Sequence, residues 1–258
     1  MASTDDPFES RILASLAGAG SLLTELRAVM ECPVESASAG DIVAWIVEGN
    51  VAAKRTQSGR VEVLKKLRRR YGLDPASPRF AAFTSAWRAA TDGAQQGLLA
   101  YLLYGTHDGF VRMASCEWLA PRLRQTAMLL PREEVDRYID ALAHREPDVE
   151  GWGPATRLSV AQHYLTAVRD YGLASGTVRK RSVKPLVGPV VTHYCATLAL
   201  LEGLSPRDAL TSDWFRMLGL DLPQVVDALY KMAGEGLGKF RVEGQVVELQ
   251  LNDLRAGR

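Results

Sequence analysis

Apolar residues recur at intervals of three and four along most of the chain, the spacing of helices that bury one stripe each. A first helix is expected over residues 8–31, with Ile12, Leu16, Leu23 and Leu26 on its apolar side and Pro33 as its stop. Asp41 can cap a second, carrying Ile42, Trp45 and Ile46 and ending near Gly49-Asn50. Thr56 or Ser58 then precedes a third over residues 59–71. Its stripe is Val61, Leu64, Leu67 and Tyr71, with Lys65, Lys66, Arg68, Arg69 and Arg70 on the remaining surface. The prolines at 75 and 78 make residues 73–78 a loop. Further helices are expected near 80–90, 94–104 and 108–118, and another begins near Arg132.

Residues 144–154 have no periodicity and several helix breakers, which marks a domain boundary. Pro154 then suits the first turn of a helix, where its missing N–H has no intrahelical partner. Leu158, Ala161, Leu165 and Val168 form one stripe, and Gly172 can supply the left-handed turn that ends the helix. The segment that follows holds Arg179, Lys180, Arg181 and Lys184 and no carboxylate from 177 to 184. Helical spacing resumes over 190–202, 206–218 and 223–234. The end changes period: residues 239–243 and 247–251 alternate polar and apolar around Glu243-Gly244, a hairpin signal. The predicted fold is therefore mainly α. An N-terminal helical bundle occupies residues 1–148, and residues 149–258 form a C-terminal helical, winged-helix-like domain with a terminal β-hairpin.

Composition narrows the class only slightly. With 258 residues, 47% hydrophobic and 24% charged, the chain matches an ordinary globular protein. A net charge of +1 means that affinity for a polyanion must come from local patches. Cys32, Cys116 and Cys195 lie far apart and are odd in number, which argues for a reducing compartment and against a disulfide framework or structural zinc. The first residues carry acid where a secretory signal carries base, so no targeting peptide is expected. Residues 186–201 are the best membrane candidate, but Gly188-Pro189 interrupts them and they fall short of the roughly 20 apolar residues of a span. A buried helix and a cytoplasmic protein are the expectation.

Catalytic constellations are hard to find. His193 and Cys195 are two apart on a helix and point to different faces, so core positions suit them. His107, His144 and His163 have no His or Cys at ligand spacing, and surface or helix-end roles are expected. Asp136 and Asp140 are four apart and could hold a metal, but Arg132 and Arg137 lie among them, which makes a solvated face the simpler account. Residues 234–239 have the glycines of a phosphate loop without its spacing, and Phe240 stands where Ser or Thr would bind magnesium. No catalytic residue, metal or cofactor is expected.

Two basic clusters stand out. Residues 54–70 hold Lys54, Arg55, Arg60, Lys65, Lys66, Arg68, Arg69 and Arg70 against Glu62 alone. The second comprises Arg179, Lys180, Arg181 and Lys184, with Arg157 and Arg169 on the helix before it. Either can be a solvated helix surface or a set of phosphate contacts, each contact releasing condensed counterions. No row of aromatics suggests stacking on single-stranded RNA.

The pattern resembles the BrxA family of BREX bacteriophage-exclusion systems over roughly residues 14–251. The resemblance rests on Gly49-Asn50-Val51 with the basic helix through Arg70, on Trp152 and Thr156 leading to Tyr171-Gly172-Leu173, and on the terminal hairpin beginning Gly238-Lys239-Phe240-Arg241-Val242. It differs from shorter members in the loops around 74–79 and 147–151. The resemblance implies a helical accessory protein that binds double-stranded DNA with little sequence preference beside other BREX components. It carries over no catalytic motif. From charge and placement, Lys54, Arg55, Arg60, Lys65, Arg68 and Arg69 form one expected DNA surface. Arg157, Arg179, Lys180, Arg181 and Lys184 form a second, and Lys239 and Arg241 a smaller third. A winged-helix regulator reading a palindromic site as a dimer, and a protein–protein adaptor with an acidic partner, stand as alternatives. Oligomeric state and the relative orientation of the two main surfaces are left open.

Overall fold

The computed structural model describes residues 12–32, 38–125 and 127–254 and is mainly helical, with two small antiparallel strand pairs. The first part holds α1 (Leu23–Met30), α2 (Ala39–Val47), α3 (Gln57–Tyr71), α4 (Pro78–Ala89) and α5 (Gly93–Gly105). It continues through α6 (Gly109–Ala114), α7 (Ala120–Leu123), α8 (Arg132–Ala143) and the single turn α9 (Pro147–Glu150). Next, α10 (Pro154–Asp170) leads into β1 (Ala174–Ser175) and β2 (Arg181–Ser182). The last part is α11 (Pro189–Leu201), the short turns α12 (Pro206–Ala209) and α13 (Asp213–Arg216), α14 (Leu222–Gly234), and strands β3 (Gly238–Glu243) and β4 (Val246–Leu251).

Local chemistry explains most boundaries and several departures from expectation. Thr56 caps α3, its hydroxyl accepting from the Gly59 N–H at 3.1 Å. The cap of α2 is Ser38 rather than Asp41; Asp41 sits at the third position and accepts from the Ser38 N–H at 2.8 Å, completing a capping box. The single helix expected over 8–31 is instead a 3-10 turn, Ser15–Gly18, followed by α1. Gly18 and Gly20 weaken helix continuation, and Leu22 takes a left-handed φ of 55°. Residues 8–11 and Pro33 lie outside the described residues. The helix expected over 206–218 breaks into α12 and α13 because Ser212 turns to extended backbone. After α6 the chain passes through a π-helical stretch, Ser115–Leu119, before α7. That wider turn accommodates Pro121, whose ring would crowd the carbonyl four residues back in a regular helix.

The packing centres on α11, which contacts α4, α5, α12, α13 and α14, while α10 packs on α8 and on the Ser15–Gly18 turn. The expected units 1–148 and 149–258 meet in a shared hydrophobic core running from Leu16 to Leu249. Tyr71 and Tyr171 join hydroxyls within it at 2.6 Å. Residues 186–201 resolve into an extended lead and the largely buried α11. Among the described residues no helix is long and apolar enough to cross a membrane.

Three side chains depart from the expected stripes, the first being Val61, which is half-buried while Val63 takes the core position on α3. Leu158 is 43% exposed at the start of α10, whereas Ala161, Leu165 and Val168 are buried. Arg70, expected on the surface of α3, is only 2% exposed. The terminal hairpin follows expectation. Glu243 pairs with Val246 around the two-residue loop Gly244-Gln245, and Phe240 meets Tyr230 of α14 edge-on at 4.9 Å.

Candidate nucleic-acid interface

The basic segment after α10 folds into a hairpin, a strand pairing that its sequence does not announce. The Leu173 N–H donates to Val168 O and the Gly172 N–H to Arg169 O, both at 2.9 Å. These two bonds, with Gly172 at φ 87°, end α10 in a Schellman turn and aim the chain outward. Ser175 then pairs with Arg181 across a five-residue tip. Gly176, at φ 88°, is indispensable to that tip: a Cβ there would lie 2.3 Å from the Arg179 carbonyl oxygen. Lys180 Nζ donates to Thr177 O at 3.0 Å and closes the loop from the other side.

A third segment braces the hairpin. The Leu130 N–H donates to Lys180 O at 2.9 Å, the Ser182 N–H to Met128 O at 2.8 Å, and Arg181 Nη1 to Ala127 O at 3.0 Å. A groove of about 620 Å³ opens between this tip, the first residues of α8 and the outer face of α10, with Arg132, Glu133, Val178, Arg179, Lys180 and Arg181 on its walls. Partial burial and the neighbouring Arg169 lower the Lys180 pKa, Asp170 opposing them. Arg179 and Lys184 are exposed and bond to no described side chain or carbonyl. Arg179, Lys180 and Arg181 thus share one braced hairpin, and Lys184 follows β2 as an exposed cation.

Arg157 has a different environment. Its guanidinium donates to Trp152 O at 2.9 Å, Glu150 O at 3.3 Å and Asp140 at 2.9 Å, tying α8 and α9 to the start of α10. On α3 and the loop before it, Arg55, Lys65, Arg68 and Arg69 are exposed, with no bond to a described residue. Arg68 and Arg69 also oppose the carbonyl end of the α3 dipole. Lys54 pairs with Glu25 at 3.1 Å, and Arg60 Nη1 donates to Val47 O at 3.1 Å. On the terminal hairpin Lys239 bonds to no described side chain through its ammonium, while Arg241 is ion-paired with Glu243 and stands opposite Glu248. On α14, Lys231 pairs with Asp227 at 2.7 Å.

Several side chains weighed for catalysis have structural surroundings. The Cys195 thiol is buried, which pushes its pKa up, and His193 Nε2 lies 2.8 Å from Asn252 O. His107, expected at a surface or helix end, is mostly buried, which pulls its pKa down to about 4 with a further push from Arg79. Asp136 pairs with Arg132 at 3.3 Å and Asp140 with Arg157. Among the described residues no three His, Cys, Asp or Glu side chains gather as a metal site. Reading the 177–184 segment for its cations alone passed over Val178, which is 93% exposed at the hairpin tip. The available signal was one apolar residue isolated between Gly176-Thr177 and Arg179-Lys180-Arg181.

A family model described as BrxA matches residues 13–197, a span that takes in α3, α10 and the β1–β2 hairpin and stops before β3. Among solved structures, the chain is similar to an uncharacterized protein from Magnetospirillum magneticum. The TM-score is 0.58 at 18% identity, covering 83% of this chain and 99% of that one, a likeness of fold. No curated protein matches.

Proposed function

The chain belongs to the BrxA family of BREX phage-defence proteins, and from that premise we propose that it is a non-enzymatic accessory that binds double-stranded DNA. The β1–β2 hairpin is the principal contact, and the exposed cations of α3 add a second set. The observation that carries this reading is a braced hairpin with its flank that holds four cations and no carboxylate over residues 177–184. Such a surface suits the phosphate backbone, which carries no sequence information directly, so little sequence preference is expected. The terminal hairpin contributes less, because Arg241 is paired with Glu243 and the nearby cation of α14 with Asp227.

The test is fluorescence anisotropy with a labelled duplex across a salt series, on the full chain. The wild type is expected to bind with a logarithmic salt slope of about −3 to −4, given roughly −0.9 per phosphate neutralised. Arg179→Glu with Lys184→Glu removes two exposed cations whose side chains bond to no described residue. That double variant is expected to melt like the wild type and lose at least about tenfold in affinity, with a shallower slope. A wild type that binds no duplex even at low salt would sink the reading.

A further inference from the structure

We propose that the β1–β2 hairpin enters the minor groove of duplex DNA and that Val178, at its apex, is an apolar wedge that opens a base step and kinks the helix. The inference rests on the DNA-binding reading above and goes beyond it by naming the groove, the residue and the deformation.

The tip is shaped without help from the Val178 side chain. Gly176 makes the close approach to the Arg179 carbonyl, Lys180 Nζ holds Thr177 O, and the Leu130 N–H holds Lys180 O. Val178 is therefore carried on a braced loop and directed away from the core, 93% exposed. The charges around it select the partner. Arg179 follows directly, Lys180 and Arg181 come next, and residues 174–184 contain no carboxylate. An apolar apex flanked by cations is complementary to a groove whose rims are phosphates and whose base steps, once parted, offer apolar base faces. An apolar pocket on a protein would need acidic rims to match it. Minor-groove proteins insert apolar side chains between base pairs in this way, and unstacking a step there bends the duplex toward the major groove. The cost of the kink depends on the step opened, least at pyrimidine–purine steps such as TA. The protein would then favour flexible steps while touching phosphates almost everywhere else.

The experiment uses a duplex of about three helical turns, end-labelled for energy transfer, with 2-aminopurine beside a central TA step. The wild type is expected to shorten the end-to-end distance and raise the 2-aminopurine emission on binding. Val178→Ala, at a 93% exposed position, is expected to keep the wild-type melting temperature. It should bind within about fivefold of wild type but lose both the energy-transfer change and the emission rise. Val178→Trp should bend the duplex as the wild type does, with the 2-aminopurine emission quenched by stacking on the indole instead of raised. If Val178→Ala bends the duplex and raises the emission as the wild type does, the wedge is wrong, and DNA binding still stands provided the Arg179→Glu, Lys184→Glu double variant loses it. If wild type binds duplex without bending or unstacking it, the wedge fails in the same way. If wild type binds no duplex at all, both readings fail together.

Discussion

Replacing Arg70 by methionine tests how far the N-terminal turn depends on one buried cation. Its Nη1 donates to Gly20 O, and its Nη2 to Ala19 O at 3.1 Å and Ser15 O at 3.3 Å. The guanidinium carbon lies 4.8 Å from the centre of the Tyr104 ring, and Nε has no partner among the described residues. The Ala19 and Gly20 carbonyls lie between the Ser15–Gly18 turn and α1, where neither helix supplies donors, and the Ser15 carbonyl belongs to the turn itself. Methionine has similar length and fills the volume, but it leaves those oxygens without Arg70. Each unsatisfied acceptor costs about 1–3 kcal/mol. Releasing the buried charge from its desolvation cost offsets part of the sum. A net loss of about 3 kcal/mol follows, on the order of 10 °C in Tm for a domain of this size. Urea unfolding followed by circular dichroism measures it, with Arg69→Ala as the control. Arg69 is exposed and unpaired, so its removal is expected within about 0.5 kcal/mol of wild type. Arg70→Lys, with one point charge in place of a fork, is expected to fall between. If Arg70→Met is as stable as the Arg69→Ala control, the guanidinium is not what holds this turn.

Two further outcomes follow from buried charge. Arg157→Ala removes three bonds from a partly buried guanidinium and is expected to cost about 2 kcal/mol in thermal unfolding. At temperatures where the variant is folded, its duplex affinity is expected within about twofold of wild type, and a larger loss would return Arg157 to the contact surface. Asp108 caps α6 through the Phe110 N–H at 3.0 Å, and burial raises its pKa from 3.8 to about 6 against the hydrogen bonds from Ser15, Val111, Leu13 and Phe110. Because the folded pKa lies above the unfolded one, the native state binds the proton more tightly. The stabilisation is fully present below 3.8 and is lost as pH rises through about 6. Relative to Asp108→Asn, the wild type is expected to gain about 3 kcal/mol as pH falls from about 7 to about 3.5. Unfolding free energies at several pH values give the difference directly, and a flat difference would mean that Asp108 titrates normally.

Much of the architecture was legible because local chemistry decides it. Thr56 opens α3, Pro154 opens α10, Gly172 closes it, and period-two alternation marks β3 and β4. The short β1–β2 pairing was not legible. It depends on backbone bonds to residues 127–130, which are distant in sequence. The candidate site shows the same division. Its cations could be counted from the chain, but their rigid display and the position of Val178 at the apex could not.

The sequence by itself determined the periodicity, the caps and the density of cations, because each is a property of neighbours along the chain. Which cation is free and which is spent on the fold was decided only by tertiary structure. Arg69 and Arg70 are adjacent on α3, yet one is exposed while the other turns inward to three carbonyls. Arg157 and Arg179 were equal candidates until Asp140 and two carbonyls were found around the first. Leu158 continues a helical stripe and is left exposed because its neighbours do not cover it. The reason is the same in each case. A stripe or a charge specifies what an element needs, and the fate of each side chain depends on which acceptor or apolar surface the distant chain brings within a few ångströms.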